Sequence, residues 1–386
     1  MRLAFFNSTR KWGGVKTWTL EFAAALRDAG HDLIVLGREG PFIERAVSMG
    51  LDARPVRFGT DYNPVAIARF FRLFRREGVQ GVLVNVGHDL RTAGIAARLC
   101  GIPVVQRIGL PQDMKNDWKV HGLHRWVRPH YLFPCVFNRD GMLNHLPYVD
   151  IADTSVILSA KIPAACPSST IGHPLQLITT SQLNAAKGHV GLLHALASLR
   201  AAGHAFHWHV VGTGTQEGSL KSLAQSLRLE DCVTWHGWTQ DVRAILRQAD
   251  VFILPSQSEG LPNTLLEAMA EGLIPVAYNV GGIAEAWPGM ALQDEAQPRP
   301  HTVPHAPINE LADCLIPFPK SQTTIDRGEA LLPILERLLT LPEETLLAWK
   351  RNTWQHCAEH FTIPTQAAKL EKLFLRLVHA PKTNTD

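Results

Sequence analysis

The sequence predicts two doubly wound α/β domains in tandem, and three observations carry that prediction. Short apolar runs alternate with segments of helical periodicity along most of the chain. Several helical segments stop at a glycine, as at Gly30 and Gly101. The alternation lapses once, over residues 154–174, and then a second series begins. Runs that are apolar throughout fit parallel strands buried on both faces by helices. A chain of 386 residues with 46% hydrophobic content can fill two cores, each of about 150 to 200 residues.

The first series opens with the strand Leu3-Ala4-Phe5-Phe6, which turns polar at Asn7 and is too short for a signal core or a membrane span. A helix over 16–29, a strand over 32–37, a helix over 64–76, a strand over 81–86, a helix over 91–100 and a strand at 103–105 follow. The segment 154–174, with Pro163, Pro167, Ser168, Ser169, Gly172 and Pro174, reads as the interdomain linker. Strands are then expected at 175–180, 206–211, 232–235, 251–254 and 274–277, with helices at 191–202, 216–227, 240–248 and 263–271. Residues 290–321 carry six prolines and read as an extended surface segment. A last helix at 365–377 precedes a polar tail expected to fray. The predicted division is 1–165 for the first domain, 166–360 for the second, and 361–386 for a helix returning to the first domain with its tail.

Composition excludes some function classes. The net charge of +3, with no long basic or acidic block, gives no reason to expect nucleic acid as a partner. Six widely spaced cysteines without a CxxC pair fit reduced thiols in a cytoplasmic protein, rather than a disulfide frame or a zinc site.

In an open parallel sheet the ligand lies beyond the carboxyl ends of the strands. Four loops there are rich in Gly or small polar residues: Lys11-Trp12-Gly13-Gly14, Asn184-Ala185-Ala186-Lys187-Gly188, Gly212-Thr213-Gly214-Thr215, and Ser258-Glu259-Gly260-Leu261-Pro262-Asn263-Thr264. Gly212-x-Gly214 is followed by Glu217 where a dinucleotide fingerprint has its third glycine, and no Walker lysine is present. NAD, FAD and ATPase readings are therefore disfavoured. Thr264-x-x-Glu267 matches a capping box, which gives Glu267 a purely structural alternative. Glu259 has no such alternative. A carboxylate there accepts hydrogen bonds from sugar hydroxyls, while the helix starting at Asn263 offers N–H groups to a phosphate and Glu267 reaches a ribose diol.

The stretch from Glu259 to Glu267 resembles the E-x7-E motif of the family-4 retaining glycosyltransferases. Lys187-Gly188, Val211-Gly212-Thr213-Gly214, Ala249-Asp250-Val251-Phe252, Gly281-Gly282-Ile283-Ala284-Glu285 and Gly13-Gly14-Val15 agree with other motifs of that family. The resemblance implies the GT-B fold, two Rossmann-like domains facing across a cleft, the second holding a nucleotide diphosphate sugar and the first an acceptor. It implies that Glu259 holds the donor sugar, Glu267 the ribose and Lys187 the diphosphate, with Gly14, Gln182, Gly212, Gly214, Gly260, Leu261, Pro262, Asn263 and Thr264 completing the donor site. Lysine and helix N–H groups stabilise the leaving diphosphate without a metal, and no Asp-x-Asp pair or cofactor is expected. Two positions depart from the pattern. Gln182 stands where the family has arginine, and Gly109 where many members have histidine; Arg107 and His88 are the nearest substitutes.

The acceptor expected is a saccharide or a lipid-linked saccharide of cell-surface polysaccharide or lipopolysaccharide. Two alternatives stay open, a nucleotide-sugar epimerase of the same fold and a non-catalytic sugar-nucleotide scaffold. Arg69-Phe70-Phe71-Arg72-Leu73-Phe74-Arg75-Arg76 admits peripheral contact of a cytoplasmic protein with the inner face of a membrane. The reading preferred for it turns Phe70, Leu73 and Phe74 to the sheet. Trp12, Trp18 and residues 123–128 add aromatic and basic character to the same domain.

Overall fold

A computed structural model of the chain describes residues 1–10, 12–109, 114–288, 290, 310–320 and 323–380. Lys11, most of the proline-rich segment and the tail from 381 lie outside the described residues.

The chain forms two compact units, one of Met1–Ser159 with the chain from Ile363 onward, the other centred on Ala160–Asp294 and closing at Thr362. The first unit holds a sheet of β1 (Arg2–Asn7), β2 (Asp32–Gly37), β3 (Asp52–Pro55), β4 (Gly81–Val84), β5 (Val104–Arg107), β6 (His130–Phe133) and β7 (Thr154–Val156). The strands lie in the order β3-β2-β1-β4-β5-β6-β7, every neighbouring pair parallel. Leu3 pairs in register with Leu33 on one side and Gly81 on the other. Phe6 turns its ring onto the edges of Phe70 and Phe74, with the Phe70 centroid 5.0 Å away. Phe70 and Phe74 are fully buried, with Phe71 and Leu73 packed against the same core, so Pro64–Glu77 is a sheet-covering helix whose arginines face solvent. The C-terminal helix Ile363–His379 packs on this unit, where Phe374 stacks on Phe5 and Glu371 meets His31 at 2.9 Å.

The second unit repeats the scheme with β8 (Leu175–Thr180), β9 (Phe206–Val211), β10 (Val233–Gly237), β11 (Val251–Leu254), β12 (Ile274–Asn279) and β13 (Leu315–Pro317). Their order is β10-β9-β8-β11-β12-β13, again all parallel. In both sheets the order reverses beside the first strand, between β1 and β4 and between β8 and β11. Such a switch point opens a crevice between the diverging connections.

Three expectations need correction. Residues 154–156 are not linker but the edge strand β7, since Ser155 and Val156 complete the ladder of Leu132 and Phe133. The strand β6 escapes a hydropathy reading because it starts with His130, whose burial is made tolerable by a bond from Nε2 to Ser155 Oγ at 2.9 Å. The end of the proline-rich segment is ordered. Glu310–Cys314 forms a helical turn that buries Leu311 and Cys314, and β13 follows at the sheet edge, where Pro317 costs no ladder bond.

Candidate functional site

The loops after β8, β9 and β10 and the helix Asn263–Ala270 surround a cavity of about 580 Å³ in the second unit. Its wall includes Thr180, Ser181 and Gln182 from the end of β8, Gly212 to Thr215 after β9, Trp238 and Thr239 after β10, and Thr264 and Glu267 on the helix. This is the switch-point crevice of the second sheet. Glycine is required at its base. Gly212 has φ of 132°, and a Cβ there would collide with the Ser181 carbonyl. Gly188, with φ of 74°, lets the loop after β8 press against the backbone of Pro255 at the end of β11. That approach is fixed by Gln257, whose backbone N–H donates to the Ala186 carbonyl at 2.8 Å and whose side-chain amide donates to the Ala185 carbonyl.

Asn184 starts the helical turn Ala185–Lys187 by accepting from the Ala186 N–H. The turn aims Lys187 at Glu259, and Lys187 Nζ meets Glu259 Oε1 at 2.5 Å with both side chains mostly buried. The two residues do not line the 580 Å³ cavity; they form a charge pair within the second unit. Glu267 lines the cavity and pairs with Lys161 at 3.0 Å. Lys161 itself is anchored by a bridge to Thr362. The capping box expected from Thr264 and Glu267 is not formed. Pro262 is the N-cap residue, and among the described residues no side chain bonds to the first N–H groups of the helix Asn263–Ala270.

Sequence reasoning missed His189. It is buried, its Nε2 lies 3.1 Å from Ser181 Oγ, and burial, reinforced by Lys187, pushes its pKa down to about 4. A neutral imidazole therefore holds the cavity-lining serine. The signal was available, because His189 follows Gly188 at the start of a helix. Trp238 is 71% exposed at the cavity wall. The hydroxyl of Thr180 is buried in the wall without a partner among the described residues, which marks it as ready for a polar ligand.

The motif aspartate Asp250 has a different task. Its Oδ2 accepts the N–H groups of Gly172 and Gln176 at 3.0 Å, and its Oδ1 faces Lys350 Nζ at 3.0 Å with both side chains buried. It fastens the entry of β8 to β11 and the helix Glu343–His360.

Gly14, His88 and Arg107 belong to the first unit. Gly14 opens the helix Gly14–Asp28, which starts two residues earlier than the periodicity suggested and has no side-chain cap. Arg107, at the end of β5, lies 4.7 Å over the Trp18 ring. Its guanidinium is thus engaged by an aromatic face. His88 Nδ1 meets Asp61 Oδ1 at 2.5 Å, and Arg91 meets the other Asp61 oxygen at 2.8 Å. Burial alone would raise the Asp61 pKa, but the bonds from His88 and Arg91 outweigh it and lower the value. The second nitrogen of His88 is buried and finds no partner among the described residues. Beside it, Asp89 accepts the N–H groups of Ser8, Asn85 and Val86, so it ties the loop after β1 to the loop after β4. Burial, opposed by those bonds, pushes its pKa up to about 6.

Residues 168–287, the segment that carries this cavity, match the family profile described as "Glycosyl transferases group 1". Residues 168–287 thus have the profile of a group 1 glycosyltransferase domain. A putative colanic acid biosynthesis glycosyltransferase, WcaL, of Salmonella typhimurium is 37% identical to this chain over 122 residues, 30% of each chain. The alignment thus spans about a third of that relative's length. Solved structures agree over the whole fold. A glycosyltransferase from Rickettsia africae superposes with a TM-score of 0.75 at 15% identity, covering 98% of this chain and 99% of the other. Anabaena HepE in complex with UDP superposes with a TM-score of 0.70 at 15% identity, covering 97% and 100%. The fold is GT-B, two Rossmann-like domains.

Proposed function

We propose that the protein is a retaining glycosyltransferase of family 4, moving a sugar from a nucleoside diphosphate sugar to a hydroxyl of a saccharide or lipid-linked saccharide. Its place would be cell-surface polysaccharide or lipopolysaccharide synthesis at the cytoplasmic face of the membrane. The observation that carries this reading is the cavity at the switch point of the second sheet, with Glu267 on one wall and Trp238 on another. A base stacks on the exposed Trp238 indole, the ribose diol donates to Glu267, and the diphosphate lies over Gly212 to Gly214 beside Gln182 and the N–H groups from Asn263 onward. The complex of the similar Anabaena protein with UDP supports a uridine nucleotide as the first probe.

Lys187 and Glu259 divide two tasks. The donor diphosphate attracts the lysine and the sugar hydroxyls attract the carboxylate, so donor binding trades their mutual contact for two contacts with ligand. As the bond from sugar to diphosphate breaks, charge gathers on the leaving oxygens, and Lys187 with the helix N–H groups stabilises it more than the ground state. The proton of the attacking hydroxyl passes to the departing phosphate on the same face, which explains why no protein nucleophile is needed. Gln182 contributes a neutral amide donor where a guanidinium would add charge, and the account needs no metal ion. His88, held by Asp61, is the first unit's candidate for contact with the sugar or the acceptor, with Arg107 and Gly14 near the ends of β5 and β1.

The test is incubation with nucleoside diphosphate sugars and lipid-linked or polysaccharide acceptors, with the product anomer read by nuclear magnetic resonance. Transfer with the donor's anomeric configuration, undiminished by a chelator, is expected. Inversion would exclude the retaining mechanism, conversion of donor alone would favour an epimerase, and donor binding without turnover would favour a scaffold.

A further inference from the structure

The helix Trp118–Val127 of the first unit has two unlike faces. On one, Leu123 and Val127 join the hydrophobic core and His124 Nδ1 lies 3.0 Å from the Tyr148 hydroxyl. Asp117 caps the start by accepting from the Lys119 and Val120 N–H groups. On the other, at about 100° per residue, Trp118, Lys119, Gly122, Arg125 and Trp126 fall within an arc of about 120°. The exposures are unusual for indoles: 79% for Trp118 and 45% for Trp126. Lys115, Lys119 and Arg125 are exposed around them, and Lys119 Nζ lies 5.5 Å over the Trp118 ring. The acid closest in sequence, Asp117, is already engaged as the cap.

The helix Pro64–Glu77 differs. That helix has the same mixture of aromatic and basic residues in its sequence, yet it buries its phenylalanines in the core. Trp118–Val127 does the reverse and offers its aromatic residues to solvent. Indole rings favour the boundary between hydrocarbon and water, because the ring is apolar and its N–H still finds an acceptor. Lysine and arginine lay their methylene stems along such a boundary while their charges meet phosphates. The sign of the charge around the two indoles selects an anionic surface.

We infer that Trp118–Val127 seats the first unit on an anionic lipid surface, with Trp118 and Trp126 entering the interface and Lys115, Lys119 and Arg125 meeting the headgroup phosphates. This deepens the reading of a lipid-linked acceptor, but its evidence is separate from the donor cavity. The test is sedimentation of the full chain with vesicles of phosphatidylcholine alone or mixed with phosphatidylglycerol, together with the melting-temperature rise given by UDP. Wild type should pellet with the anionic vesicles only, and added salt should release it. Trp118→Ala/Trp126→Ala and Lys119→Glu/Arg125→Glu should each lower the bound fraction by on the order of ten-fold, with the UDP response unchanged. Wild type remaining in the supernatant with both vesicles would overturn the inference, as would either double variant pelleting like wild type. If the UDP response persists in those cases, the donor reading stands. A stripe that binds an acidic polypeptide or RNA but no vesicle would also overturn it.

Discussion

The strand ends of the two sheets share one topology and differ in chemistry. In the second unit they are lined by small residues and hydroxyls, with a tryptophan at one wall and a carboxylate at the other, and the family profile matches this segment. In the first unit they gather Lys16, Arg38, Arg107 and the His88–Asp61–Arg91 cluster among aromatic rings. The same fold thus presents two chemically unlike sets of strand ends. Their fastenings differ as well. Asp250 is buried against Lys350, whereas Asp89 is buried with only backbone N–H donors and the neighbouring His88 to favour its charge.

The largest expected effect breaks the paired fastening. Lys350→Met leaves Asp250 buried without its cation and should cost about 3–5 kcal/mol, read as a lower urea midpoint. Asp89→Asn keeps a side-chain oxygen for the N–H groups of Asn85 and Val86, leaves that of Ser8 without its acceptor, and should cost less, about 1–3 kcal/mol. Equal losses would erase the distinction between the two fastenings.

Next is catalysis. Glu259→Ala should lower turnover by about a hundred-fold or more while UDP alone binds at least as well as before, since the carboxylate is assigned to the sugar and its loss frees Lys187 for the diphosphate. His88→Ala should lower turnover about ten- to a hundred-fold without changing UDP affinity, because it belongs to the other unit. A large loss of UDP affinity in His88→Ala would refute the division of labour between the units.

A smaller effect comes with pH. His124, His130 and His189 have pKa values pushed down to about 4 by burial. Between their ordinary value near 6.5 and that folded value the unfolded chain takes up protons that the folded chain refuses, so stability is lost as pH falls through this window. Asp89, raised to about 6, acts in the opposite direction, adding stability as pH falls from there towards the ordinary carboxylate value. Three histidines outweigh one carboxylate, and the melting temperature should drop between about pH 6.5 and 4. His189→Gln should flatten that decline; an unchanged slope would mean His189 titrates in the folded chain.

Much of this was legible in the sequence. The alternation of apolar runs and helical periods gave most strands and the two-unit plan, and the loop glycines were placed by their position after strands. What escaped depends on pairings distant in sequence. β6 is hidden by His130, which only Ser155 makes tolerable in a buried strand. The Thr264–Glu267 capping box was sound locally, but Lys161, more than a hundred residues earlier, draws Glu267 away. The spacing of Lys187 and Glu259 suggested a shared ligand and could not tell that the two would also reach each other. In the first unit the composition of 64–77 and of 118–127 is alike, and only the packing separates the helix that covers the sheet from the one that faces outward.

The most direct measurement is calorimetric titration of UDP into wild type, Trp238→Ala and Glu267→Gln. Saturable binding to wild type is expected, weakened about ten-fold or more in each variant. UDP binding undiminished in both variants would contradict the placement of the nucleotide in the second unit's cavity.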